Sequence, residues 1–69
     1  MTERFRRGDR VEWNFRGHAV AGRVRKRLEA RTEIDGQVFN ASEEDPRYLV
    51  RSDKTGKETA RRPETLRRV

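Results

Sequence analysis

Apolar and polar residues alternate through Arg10-Val11-Glu12-Trp13-Asn14-Phe15, so Val11, Trp13 and Phe15 share one face of a predicted strand. Gly8-Asp9 opens this strand, and Arg16-Gly17-His18 closes it as a turn. Alternation resumes from Ala19 to Leu28. There Val20, Gly22, Val24 and Leu28 fall on one face, and Arg23, Arg25 and Arg27 fall on the other. Gly22, in the middle of that strand, marks a bend or a close approach of backbone. A strand this long in so short a chain is expected to curve between two layers.

Ile34-Asp35-Gly36-Gln37 carries the sharpest local signal, because Asp-Gly supplies the positive φ angles of a two-residue hairpin turn. Such a turn pairs Ile34 with Gln37 and Thr32 with Phe39. Asn40 to Pro46 is polar and turn-forming. Ser42 can cap one helical turn there, and Pro46 bars it from continuing. Tyr48 to Arg51 reads as a short strand, Asp53 to Gly56 as a tight turn, and Lys57 to Arg62 as a more polar returning strand. Pro63-Glu64-Thr65-Leu66 suits a single 3₁₀ turn that drops Leu66 into the core. The pattern predicts an all-β fold: a small, highly curved barrel of five to six short strands with a 3₁₀ turn near the C-terminus.

Composition narrows the class. The 69 residues are 30% hydrophobic and 43% charged, near the lower limit for a self-supporting core and close to the composition of disordered chains. Alternation bounded by glycines argues for a half-buried sheet instead. Without cysteine there is no disulfide and no thiolate metal cage, so a reducing compartment is expected. No apolar run is long enough for a membrane span or a signal-peptide core, and the expectation is a soluble cytoplasmic protein. Residues 1–7 read as a basic N-terminal tail ahead of a single domain over 8–69.

The formal charge of +6 is sorted along the chain: residues 1–28 carry an excess of +6, residues 29–53 of −4 and residues 54–69 of +4. A fold that joins the two ends makes one face positive and the other negative.

The string Gly8-Asp9-x-Val11-x-Trp13, Gly22-x-Val24, Asn40-Ala41-Ser42-x-x-Asp45-Pro46-x-Tyr48-x-Val50, Gly56 and Leu66 resembles the hypervirulence-associated TUDOR-domain family, small proteins of bacteria and fungi. The resemblance runs from about residue 8 to residue 68, and its Ala-Ser-x-x-Asp-Pro-x-Tyr portion is the specific part. It implies an SH3-like or Tudor-like barrel and a binding module in place of an enzyme. It carries over no ligand. Tudor domains that read methyl-lysine enclose it in several aromatic rings. Here the aromatic candidates are Trp13, Phe15, Phe39 and Tyr48, and alternation turns Trp13 and Phe15 toward the core.

For chemistry, the expected site is a basic strand face that grips the phosphates of DNA or RNA: Arg16, Arg23, Arg25 and Arg27, with Arg61 and Arg62. Arg10 is placed to join it. The competing reading is a solvated face that keeps a marginal domain soluble. A protein or peptide partner in a groove around Trp13, Phe15 and Tyr48 is the alternative function. A self-associating structural or stress protein is a third, so the chain is expected as a monomer or weak homodimer. His18 lies in a turn without a telling neighbour. Glu43, Glu44 and Asp45 lack the ligand spacing of a calcium loop. With no nucleophile–base pair, no metal cluster and no phosphate-cradling glycine loop, neither catalysis, a cofactor nor a metal is expected, and no membrane partner.

Overall fold

The computed structural model describes residues 4–69. Its elements are β1 (Arg10–Phe15), β2 (His18–Leu28), β3 (Thr32–Ile34), β4 (Gln37–Phe39), β5 (Arg47–Ser52), β6 (Glu58–Arg61), a 3₁₀ turn (Pro63–Thr65) and β7 (Arg67–Arg68). A five-stranded antiparallel sheet has the order β6-β5-β2-β1-β7, and β3 and β4 form a separate hairpin. The all-β fold agrees with the alternation. The strand beyond the expected number is the two-residue β7, too short to leave a periodic trace in sequence.

The β1–β2 and β3–β4 hairpins turn on the same chemistry. Asp35 and Gly36 have φ of 51° and 77°, and Arg16 and Gly17 have 50° and 79°. Two consecutive positive φ angles define the turn whose twist matches the flanking strands. The register follows: Ile34 faces Gln37 and Thr32 faces Phe39, as Asp-Gly predicts, while Phe15 faces His18.

The core has two parts. On the concave side Phe5, Val11, Trp13, Val24, Tyr48, Val50 and Leu66 pack together with Val20 against them. On the other side Leu28, Leu49 and Ala60 are covered by Ile34, Phe39 and Ala41 of the β3–β4 hairpin and its exit. Strand β5 is therefore buried on both faces, which explains the unbroken apolar run Tyr48-Leu49-Val50. Gly22 marks a close approach: a Cβ there would lie 2.1 Å from the Arg51 carbonyl oxygen and 2.7 Å from Cη2 of Trp13.

Three expectations are corrected. A bulge interrupts β2, with Val24 opposite Val50 and Lys26 opposite Leu49, so Arg25 is an extra residue and the parity reverses after it. Leu28 consequently leaves the face of Val20 and Val24 and joins the second cluster, and Arg27 moves to the side of Tyr48. Phe15 has the parity of Trp13 but lies at the open end of the barrel, 48% exposed. Finally, the N-terminal tail does not extend to residue 7. Phe5 is 6% exposed, its ring meets Tyr48 edge-on with centroids 5.4 Å apart, and its N–H donates to the Tyr48 hydroxyl at 3.2 Å. Residues 1–3 of that tail lie outside the described residues.

The two ends of the chain adjoin, since Arg68 donates to the carbonyl of Arg4 at 2.9 Å and Val69 N–H donates to that of Arg10 at 3.2 Å. In the connector, Ser42 Oγ accepts from Asp45 N–H at 3.0 Å, and Ser42 N–H donates to the Asp45 carbonyl at 3.2 Å. The capping bond forms without a helical turn.

Candidate nucleic-acid interface

Cross-strand register assembles arginines that lie far apart in sequence. Arg10 on β1 faces Arg23 on β2, Arg23 faces Arg51 on β5, and Arg51 faces Glu58 on β6. All three arginines are exposed and alternate with buried neighbours (Val11, Gly22, Val24, Val50, Ser52), so they stand abreast on the convex face. Residues directly opposite across an antiparallel pair bring their Cβ atoms to about 4.5–5.5 Å, and like charges there repel.

Little nearby neutralises the row. Arg10 meets Asp53 at 3.5 Å across an exposed pair. Glu58, the carboxylate opposite Arg51, is engaged by Arg25 at 3.5 Å. Arg23 and Arg51 therefore have no carboxylate partner among the described residues. The Arg51 guanidinium instead lies over Gly56, where an added Cβ would come within 3.4 Å of it. Gly56 has φ of 73° in the tight turn, and its missing side chain leaves room for the arginine.

A second basic cluster occupies the open end of the barrel. The exposed Phe15 ring carries the Arg16 guanidinium carbon 5.2 Å from its centroid and that of Arg61 at 5.8 Å. Arg61 reaches it because β6 places it opposite Tyr48 on the concave side. Its Nε is buried without a hydrogen-bond partner. Exposed His18 stands opposite Phe15 in the first hairpin.

The structure thus divides the predicted arginines. Arg23 stands in the convex row, and Arg16 and Arg61 meet at the barrel end. Arg25 is paired with Glu58. Arg27 lies on the opposite side of the sheet from Arg23, 3.8 Å from Glu29 and with its guanidinium carbon 6.0 Å from the Tyr48 centroid. Arg62 pairs with Asp45 at 3.7 Å. A continuous Arg23-Arg25-Arg27 row does not exist, because the bulge breaks it. Of the aromatic groove, Trp13 and Tyr48 are core residues at 3% and 1% exposure, and only Phe15 reaches solvent.

Two further terminal arginines are tied into the fold. Arg67 pairs with Glu12 at 2.6 Å and Arg68 with Asp9 at 2.9 Å. The Asp9 carboxylate also accepts from Arg6 N–H at 2.8 Å. That backbone bond, followed by the Arg68 guanidinium, holds its pKa below the ordinary aspartate value against the opposing effect of burial.

Arg51 was the residue hidden from sequence reasoning. The expected turn Arg16-Gly17-His18 is one residue shorter in the structure, where His18 opens β2 and sets Arg10 opposite Arg23, whereas the β2–β5 register is non-local and contains the bulge. Among the described residues no group of three or more His, Asp and Glu could hold a metal ion, and no helix is long and apolar enough to cross a membrane.

Residues 8–66 match the family described as Hypervirulence associated proteins TUDOR domain. No curated protein and no solved structure matches the chain.

Proposed function

The chain belongs to the hypervirulence-associated TUDOR-domain family, whose type is a binding module, and from that premise we propose that it binds nucleic acid without catalysis and with low sequence specificity, through the phosphate backbone. The observation that carries this reading is the convex row Arg10, Arg23 and Arg51. Three guanidinium groups abreast, with no carboxylate for the central one, form a surface that a polyanion relieves of its own repulsion. Guanidinium groups suit phosphate because their donors are planar and always charged. Phosphate contacts position a nucleic acid without reading its bases, so low specificity follows.

Fluorescence anisotropy with labelled DNA and RNA over a series of salt concentrations tests the proposal. Three phosphate contacts give a slope of log K against log salt of about −2 to −3. Absence of binding at low salt, or binding indifferent to salt, refutes it. Peptide binding that survives Arg23→Glu would instead favour a protein partner.

A further inference from the structure

Three locally unfavourable features meet at the open end of the barrel. Phe15 leaves 48% of its surface in water although Val11 and Trp13, of the same parity, are core. Arg16 holds φ of 50° at a turn position where Asn, Asp or Gly is the low-energy choice. Arg61 buries an Nε donor with no acceptor. Departures from local rules that cluster on one spot mark a site at which something other than folding is served.

We propose that Phe15, Arg16 and Arg61 form a stacking site for an unpaired nucleobase, which makes single-stranded nucleic acid the preferred ligand. This rests on the nucleic-acid reading above and adds to it the state of the strand. A phenyl ring and guanidinium planes stack with any base, and in a duplex the bases are already stacked on each other. Both guanidinium groups lack a carboxylate partner among the described residues, so their terminal N–H groups, other than the buried Nε of Arg61, are available to the phosphates flanking the stacked base. The charge also excludes the opposite kind of ligand. A cation seeking this ring meets two positive groups already over it, at 5.2 and 5.8 Å.

The test uses the whole chain and three fluorescent probes of about twelve units, a length within the usual site size of small single-strand-binding barrels: oligothymidylate, an abasic strand of the same length, and a duplex. Wild type binds oligothymidylate most tightly. Phe15→Ala weakens that binding about 5- to 100-fold and leaves the abasic strand and duplex unchanged. Phe15→Tyr restores it. Arg16→Asn suits the turn and keeps the fold; it weakens oligothymidylate most and the abasic strand to a lesser degree, because it removes a phosphate contact as well as a stacking partner. Arg23→Glu weakens all three probes. Equal effects of Phe15→Ala on every probe, or no effect, overturn the stacking site while leaving phosphate binding intact. If wild type binds none of the probes, both proposals fail, and peptide binding that depends on Phe15 would assign the ring to a protein partner.

Discussion

Arg23→Glu should raise stability and lower affinity at once, because the row proposed to bind phosphate is also a row of like charges facing each other across the sheet. Arg23 faces Arg10 on one side and Arg51 on the other. Each like-charge cross-strand pair is unfavourable by about 0.2–1 kcal/mol, and an opposite-charge pair is favourable by a similar amount. The substitution converts two repulsions into two attractions. Exposed side chains fall in the lower half of that range, and after subtracting a few tenths for the weaker strand propensity of Glu the gain is about 1–2 kcal/mol. In a chain of this size each kcal/mol moves Tm by about 4–8 °C, so the variant should melt about 4–16 °C higher in dilute buffer. The gain is electrostatic between exposed groups. It should vanish near 1 M salt, where the Debye length is about 3 Å. In the same protein the salt dependence of DNA binding should become shallower by about one unit of slope, with weaker affinity at every salt concentration. Melting curves by circular dichroism at low and high salt, paired with anisotropy titrations, supply both numbers. A variant that melts lower than wild type in dilute buffer, or a gain that persists at 1 M salt, refutes the idea that the row stores repulsion.

Other substitutions probe the scaffold. Gly22→Ala puts a Cβ against the Arg51 carbonyl and the Trp13 ring, neither of which can yield without moving a strand; urea unfolding should show a loss of about 3 kcal/mol, and an unchanged midpoint would contradict the packing. Phe5→Ala empties a core position and should cost about 3–5 kcal/mol, comparable with the entire stability of so small a domain. Thermal melting unaffected by it would return residues 4–7 to the tail. Asp9 has a lowered pKa in the folded state, so its contribution is fully present above its unfolded-state value of about 3.9 and is lost as pH falls through the lower folded value. Asp9→Asn should therefore melt below wild type at pH 7, and the two should converge on acidification; a difference that stays constant from pH 7 to pH 2 would contradict the linkage.

What could be read from sequence was what depends on neighbours in the chain. Period-two alternation placed Val11, Trp13 and Val24 in the core, Asp35-Gly36 gave the hairpin register, and Pro63 opens a 3₁₀ turn followed by the buried Leu66. What escaped depends on partners far along the chain. The bulge at Arg25 arises where β2 bends to serve both β1 and β5, and one extra residue there was enough to turn Arg27 away from Arg23. Phe5 gave no periodic signal, because a lone apolar residue among arginines packs only once Tyr48 and Leu66 have assembled beneath it. The exposure of Phe15 is likewise a matter of where the barrel ends, not of parity.

The residues that carry the family resemblance are accounted for by the scaffold. Val11, Trp13, Val24, Tyr48, Val50 and Leu66 are core, and Ala41 packs on the second cluster. Gly8 and Gly56 adopt positive φ, and Gly22 admits a neighbouring strand. Asp9 binds Arg6 and Arg68, the Asn40 carbonyl accepts from Arg47 Nε, Ser42 and Asp45 brace the connector, and Pro46 is buried beside it. None of Arg10, Arg23, Arg51, Phe15, Arg16 or Arg61 belongs to that set. The motif therefore specifies how the barrel holds together and leaves the ligand to positions it does not constrain. Replacing Arg10, Arg23 and Arg51 together by Gln should accordingly remove most phosphate binding from a protein that still folds, whereas no change at the motif positions could separate binding from folding in this way.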